Sequence, residues 1–188
     1  MTVEELLQQV RYAINDTQKV EYTDAELINY VNDALRFVSN ELIRLSSPLM
    51  LKTTTLNFID NSADLPSDFI REEAVIANGI VLNSIPATQE PGTLNYKILG
   101  NKIYSKNNQV LLLYYAGFPS VLALNQSVPI PDYMLSLVKS IVAFLALNRN
   151  EYNTSVEQEL IKVFSGQVLE LAKMIGEQFY ERILPFTV

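Results

Sequence analysis

The apolar pattern changes period twice along this chain, and that order constrains the fold more than any motif in it. From about Thr2 to Ser46 apolar residues recur at helical spacing, from about Leu51 to Ala116 they come in short strand-like runs, and from about Pro131 to Ile183 the helical spacing returns. A helix repeats a face every 3.6 residues and a strand every second residue, so the two patterns are not interchangeable. In a chain of 188 residues this order predicts an α+β fold. The expected architecture is a four-helix bundle from the N- and C-terminal segments with a small antiparallel β domain inserted between them. The expected boundaries are 1–49 and 120–188 for the helical bundle domain and 50–119 for the β domain.

The helices carry their own start signals. Thr2-Val3-Glu4-Glu5 and Thr23-Asp24-Ala25-Glu26 are capping boxes, in which the Thr and the Glu three residues on each satisfy a free backbone N–H. Val3, Leu6, Leu7, Val10 and Ile14 follow the first; Leu27, Val31, Ala34, Leu35, Val38, Leu42 and Leu45 follow the second. Ser46-Ser47-Pro48 closes the second helix, because proline disfavours a helical residue before it. Pro131 suits the first position of a third helix. That helix is apolar on most sides through Ile141 to Leu147, which predicts burial by several neighbours, another subunit among the options. Thr154-Ser155-Val156-Glu157 is a third capping box. It opens a helix of roughly 28 residues, about 42 Å, ending at Arg182. Gly166 and Gly176 inside it mark a close contact, a bend or a tolerated weak spot, each at about 1 kcal/mol relative to alanine.

In the middle, Asn78-Gly79 between Ala74-Val75-Ile76 and Ile80-Val81-Leu82 is a hairpin signal. Gly100-Asn101 and Asn107-Asn108 punctuate further runs, and Leu51 to Ile59 is a Thr-rich strand candidate. The punctuation predicts about five or six antiparallel strands in a small sandwich or barrel.

Chemistry is scarce. The chain has no cysteine, so no disulfide or thiolate site is available, and no histidine, which removes the side chain best matched to proton transfer near pH 7. The glycine-rich loops of phosphate sites and the G-x-S-x-G elbow are missing. Glu4/Glu5 and Asp24/Glu26 sit in first helical turns, where negative charge complements the helix dipole. Glu72/Glu73 point to opposite faces of a strand, and Glu157/Glu159 lie on a solvated helix face. Asp60, Asp64 and Asp68 form a loose acidic loop without the alternation and glycine of a calcium loop. No catalytic, cofactor or metal residue is assigned, and the chain is not read as an enzyme. A carboxylate glycosidase would need two carboxyl groups about 5 to 9.5 Å apart in a cleft.

Net charge is −7, spread over the whole chain: −4 in residues 1–49, −1 in 50–120 and −2 in 121–188. No basic face emerges, which argues against gripping DNA phosphates or anionic lipid. The start, Met1 to Glu5, is acidic rather than signal-like. The most apolar stretch, Tyr133 to Leu147, is short of the ~20 residues of a membrane span. No membrane partner is expected.

Four segments in order resemble one family. Tyr22-Thr23-Asp24-Ala25-Glu26-Leu27-Ile28-Asn29-Tyr30-Val31-Asn32-Asp33-Ala34 resembles the opening helices of tailed-bacteriophage head–tail adaptor proteins. These are also called connectors, head-completion proteins, tail accessory factors or tail tubular proteins. Leu65-Pro66-Ser67-Asp68-Phe69 is similar to the step by which such proteins enter their hairpins. Tyr114-Tyr115-Ala116 with Pro119 resembles the closing strand, and Ile130-Pro131-Asp132-Tyr133 the start of the third helix. The resemblance implies a structural virion protein, assembled in the host cytoplasm and placed at the head–tail interface. It implies a homo-oligomeric ring, often twelve-fold, between portal protein and tail proteins, through which DNA passes without specific binding. It brings no catalytic residues. The apolar C-terminal tail supplies the one partner-binding expectation: Ile183, Leu184, Phe186 and Val188 as an anchor in apolar pockets of a partner. The competing readings are that this tail folds back on its own subunit, and that the whole chain is a non-viral interaction module with a helical scaffold and a β binding surface.

Overall fold

The computed structural model describes residues 1–148 and 154–183. The chain forms two compact units, Met1–Leu49 with Phe118–Val188, and Met50–Gly117.

The first unit holds four helices: α1 (Val3–Ala13), α2 (Asp24–Arg44), α3 (Leu135–Leu147) and α4 (Thr154–Ile183). The capping boxes at Thr2 and Thr23 are both formed. In α1, two further orphan amides of the first turn find distant acceptors: Val3 N–H donates to Gln126 O at 2.8 Å and Glu4 N–H to Leu124 O at 3.0 Å. α1 buries Val3, Leu6, Leu7 and Val10, and α2 buries Leu27, Val31, Ala34, Leu35, Val38 and Leu42. Both helices pack on α3, and α4 meets α2 and α3. Pro131 lies one residue outside its expected place: it precedes a one-turn 3-10 helix, Asp132–Met134, which leads into α3.

The second unit holds eight strands: β1 (Leu51–Asn57), β2 (Ser62–Asp64), β3 (Phe69–Ala77), β4 (Ile80–Val81), β5 (Asn83–Ser84), β6 (Asn95–Leu99), β7 (Lys102–Tyr104) and β8 (Gln109–Ala116). They form two four-stranded sheets, ordered β1-β8-β3-β4 and β2-β7-β6-β5. Asn78 and Gly79 both take positive φ, 51° and 78°, as a tight hairpin turn requires, and the turn closes on the pair Ala77–Ile80. The core draws on both sheets: Val110, Leu112 and Tyr114 of β8 alternate inward, meeting Val75 of β3, Tyr96 of β6 and Ile103 of β7.

The expected four-helix bundle with a small inserted antiparallel β domain is therefore corrected to four helices and two four-stranded sheets separated along the chain. A bundle needs each helix to bury a continuous stripe. Among the described side chains of α4, Phe164 and Val168 are buried, while Ile161, Val163, Leu169 and Met174 are exposed. Apolar residues of α4 thus also lie off the face that carries Phe164 and Val168. The β region is not wholly antiparallel either, since β5 runs parallel to β6. The strand count was low because β2 and β5 are three and two residues long, too short for an alternation to register. The close-contact reading of Gly166 and Gly176 also fails among the described residues: apart from the helix's own nearby backbone, no heavy atom lies within 4 Å of where a Cβ would stand at either.

Candidate functional site

The positions that carry the resemblance hold the fold together from inside. Tyr22 is buried and donates its hydroxyl to Ala146 O at 2.8 Å, satisfying one of the last carbonyls of α3. Arg11, 3% exposed, reaches from α1 to three acceptors: the Asp16 carboxylate, Asp24 Oδ1 at 2.8 Å and Tyr22 O at 2.9 Å. Asp16 also accepts from the backbone N–H groups of Val20 and Glu21, at 2.8 and 3.0 Å. Burial alone would push the Asp16 carboxyl up. The Glu21 and Val20 amides, then Arg11, outweigh it and hold it below its ordinary value. Asp24 is also held low, by the hydrogen bond from Arg11 and by Lys19. Asn32 clasps one residue of the segment between β8 and α3 as a strand would: its Oδ1 accepts from Val121 N–H at 2.8 Å and its Nδ2 donates to Val121 O at 2.9 Å.

The β segments behave alike. Leu65 N–H donates to Asn101 O at 2.8 Å, and Phe69 stacks on Tyr114 with ring centroids 5.9 Å apart. Asp68 accepts from Lys52 at 2.7 Å and from the Tyr114 hydroxyl at 3.1 Å. The Lys52 bond holds Asp68 below the usual carboxylate range. Tyr114 is pushed up, first by burial and then by Asp68. Arg71 lies over the Tyr115 ring at 4.6 Å.

The acidic trio does not converge. Asp68 pairs with Lys52, Asp64 lies 3.8 Å from Lys102, and Asp60 sits on an exposed turn at φ 51°. Among the described residues no three carboxylates group as metal ligands.

The surface that remains offers shallow grooves of mixed polar and apolar lining. Tyr133, from the last of the resembling segments, is 50% exposed and lines a groove of about 590 Å³ with Leu137, Val163, Gly166, Leu171 and Met174. A groove of about 580 Å³ in the β unit is lined by Thr55, Ile76 and Leu111 together with Asn78 and Lys106 to Gln109. Its polar lining is partly spent, with Asn107 donating to Thr93 O and Gln109 to Asn57. Neither groove brings together an acid and a base. Sequence reasoning missed Tyr133 and α4 as surface; the signal was Val163 and Met174, apolar residues that lie apart from Phe164 and Val168 on the helix. Of the expected anchor, Ile183 is the last residue of α4, its side chain outside the described residues, and Leu184, Phe186 and Val188 lie outside them altogether.

Among the described residues no helix is long and apolar enough to cross a membrane. No curated protein matches the chain. The family model described as SU10 adaptor protein matches residues 1–176, which takes in α1 to α3, all eight strands and most of α4. An adaptor of this kind is a structural component of the phage particle, acting through contacts with head or tail proteins, which agrees with a surface rich in internal fasteners and poor in converging chemistry. The chain belongs to the SU10 adaptor protein family of bacteriophage adaptors.

Proposed function

We propose that this adaptor assembles as a cyclic ring between portal and tail and continues the DNA channel. The helical segments, 1–49 and 120–188, form the ring body, and the β segment, 50–119, faces tail components. The observation that carries this reading is the apolar surface left on α4, where Val163 and Met174 are 53% and 54% exposed. Head-to-tail contacts in a closed ring cover such a face on every copy. The net charge of −7 suits a channel in which DNA must slide, because a basic lining would hold it by counterion release. Twelve copies is the stoichiometry we expect, with DNA passing through unspecifically. The C-terminal residues Ile183, Leu184, Phe186 and Val188 anchor the ring on the portal in this reading.

Native mass of the chain, alone and after co-expression with the portal protein of the same genome, tests the ring. A large complex containing both is the expected result; a chain that stays monomeric and ignores the portal overturns it. Truncation after Arg182 tests the anchor separately, and unchanged portal binding would sink that part alone.

A further inference from the structure

The residues between Ser84 and Asn95 cross from β5 to its parallel neighbour β6. Such crossovers commonly take a dozen or more residues and a helix; this one is shorter and has no helix. Its middle is poorly held by itself. Residues 86–90 are all exposed, so no buried side chain fixes them. Their one bond to another backbone group is Gln89 N–H to Pro86 O, at 3.0 Å, and Pro86 and Pro91 have no N–H to offer.

Between its fixed ends, the Ile85 N–H bonded to Tyr96 O at 2.9 Å and the buried Pro91, what holds this segment is one cation beneath it. Tyr96 of β6 enters the core, so Lys97 points to the other face of the strand. There it is only 8% exposed. Its ammonium donates to Gln89 O at 2.9 Å and Ala87 O at 3.3 Å, and lies 3.4 Å from the Glu90 carboxylate and 5.9 Å from the centre of the Tyr104 ring. A buried ammonium without such acceptors would be expensive, so the segment and the lysine depend on each other.

We propose that residues 86–90 are a strap that can lift from the β unit, with Lys97 as its single catch. The Glu90 side chain, 89% exposed, is the exchangeable member of that catch. Its place over the ammonium is open to a carboxylate from outside the chain. The two backbone carbonyls are the members that close the strap.

Backbone NMR relaxation on the full chain tests this. In the wild type, order parameters for residues 86–90 should be near about 0.85, and in Lys97→Met, which keeps the apolar stem, they should fall below about 0.6 while β6 and β7 stay rigid. An equally ordered strap in the variant, or a strap already mobile in the wild type, overturns the proposal. Loss of order throughout β6 and β7 overturns it too, since Lys97 would then be holding the sheet and not the strap. Reductive methylation of the wild-type chain is an independent check on the covered lysine. Lys97 should react at least about tenfold more slowly than exposed Lys102 and Lys106, given the strength of hydrogen bonds to charged groups. Equal rates would overturn it.

Discussion

α2 and α4 belong to the same unit and are its two longest helices, yet they relate to their surroundings in opposite ways. α2 buries a stripe from Leu27 to Leu42, and its first turn is locked to α1 through Asp24 and Arg11. α4 is longer, 30 residues against 21. Among its described side chains, however, only Phe164 and Val168 are buried. Length and apolar content do not by themselves make a core helix. What matters is whether the apolar residues share a face, because only one face can be turned inward. α2 therefore contributes to the stability of the isolated chain, while much of the apolar surface of α4 is available to a partner.

The largest expected effect comes from breaking the lock on the α2 side. Arg11→Ala leaves the carboxylates of Asp16 and Asp24 without their buried cation and should cost about 3–5 kcal/mol in urea unfolding. A cost below about 1 kcal/mol, within the range of surface pairs, would remove this half of the comparison. The same network sets an acid response. Both carboxyls are held below the ordinary value of 3.8 in the folded chain, so the unfolded chain binds more protons as pH drops. Their stabilisation is complete above that value and is lost as pH falls through the folded values. An acid titration should show this loss in the wild type and a smaller one in Arg11→Ala.

Next in size is the core of α2 itself. Leu42, fully buried, should cost about 3 kcal/mol when cut to alanine, mostly through lost burial and the cavity left behind. Asn32→Ala should cost about 2 kcal/mol, because it strands both backbone groups of Val121 that the side chain now satisfies. The smallest effect belongs to α4. Val163→Ala and Leu169→Ala should each stay within about 0.5 kcal/mol of wild type in the isolated chain. If either costs as much as Leu42→Ala, the α4 surface is core after all and the comparison collapses. If neither matters alone but both weaken assembly with the portal, the comparison sharpens.

Much of the helical unit was legible because its signals are local. The boxes at Thr2 and Thr23 and the 3.6-residue stripe of α2 involve residues a turn or two apart, and they formed as read. The Asn78-Gly79 hairpin was legible for the same reason, since positive φ at two adjacent positions selects those residue types. What was not legible depended on partners far along the chain. Nothing near Asn32 announces Val121, and nothing near Lys97 shows that a strap will lie over it. The two-residue strand β5 exists because β6 runs beside it, not because of its own composition. The α4 surface was misjudged for a different reason. The sequence shows one apolar side of this helix, Val156, Leu160, Phe164, Val168, Leu171, Ile175 and Phe179, and attention to it passed over Val163 and Met174.

The acceptors for the first amides of α1 also bear on the order in which the molecule can form. Val3 and Glu4 donate to carbonyls of residues 126 and 124, so the beginning of the chain is completed by a segment made after every β strand. Met50–Gly117 is one uninterrupted stretch of chain whose strands pair with one another, so it can close while synthesis continues. The two bonds at Val3 and Glu4 must wait until residue 126 has left the ribosome, and they then close a loop of more than a hundred residues. Long loops add to the entropic cost of closure only slowly, but they delay the contact in time. Vectorial synthesis thus lets the middle of this protein close before the first turn of α1 has all its acceptors.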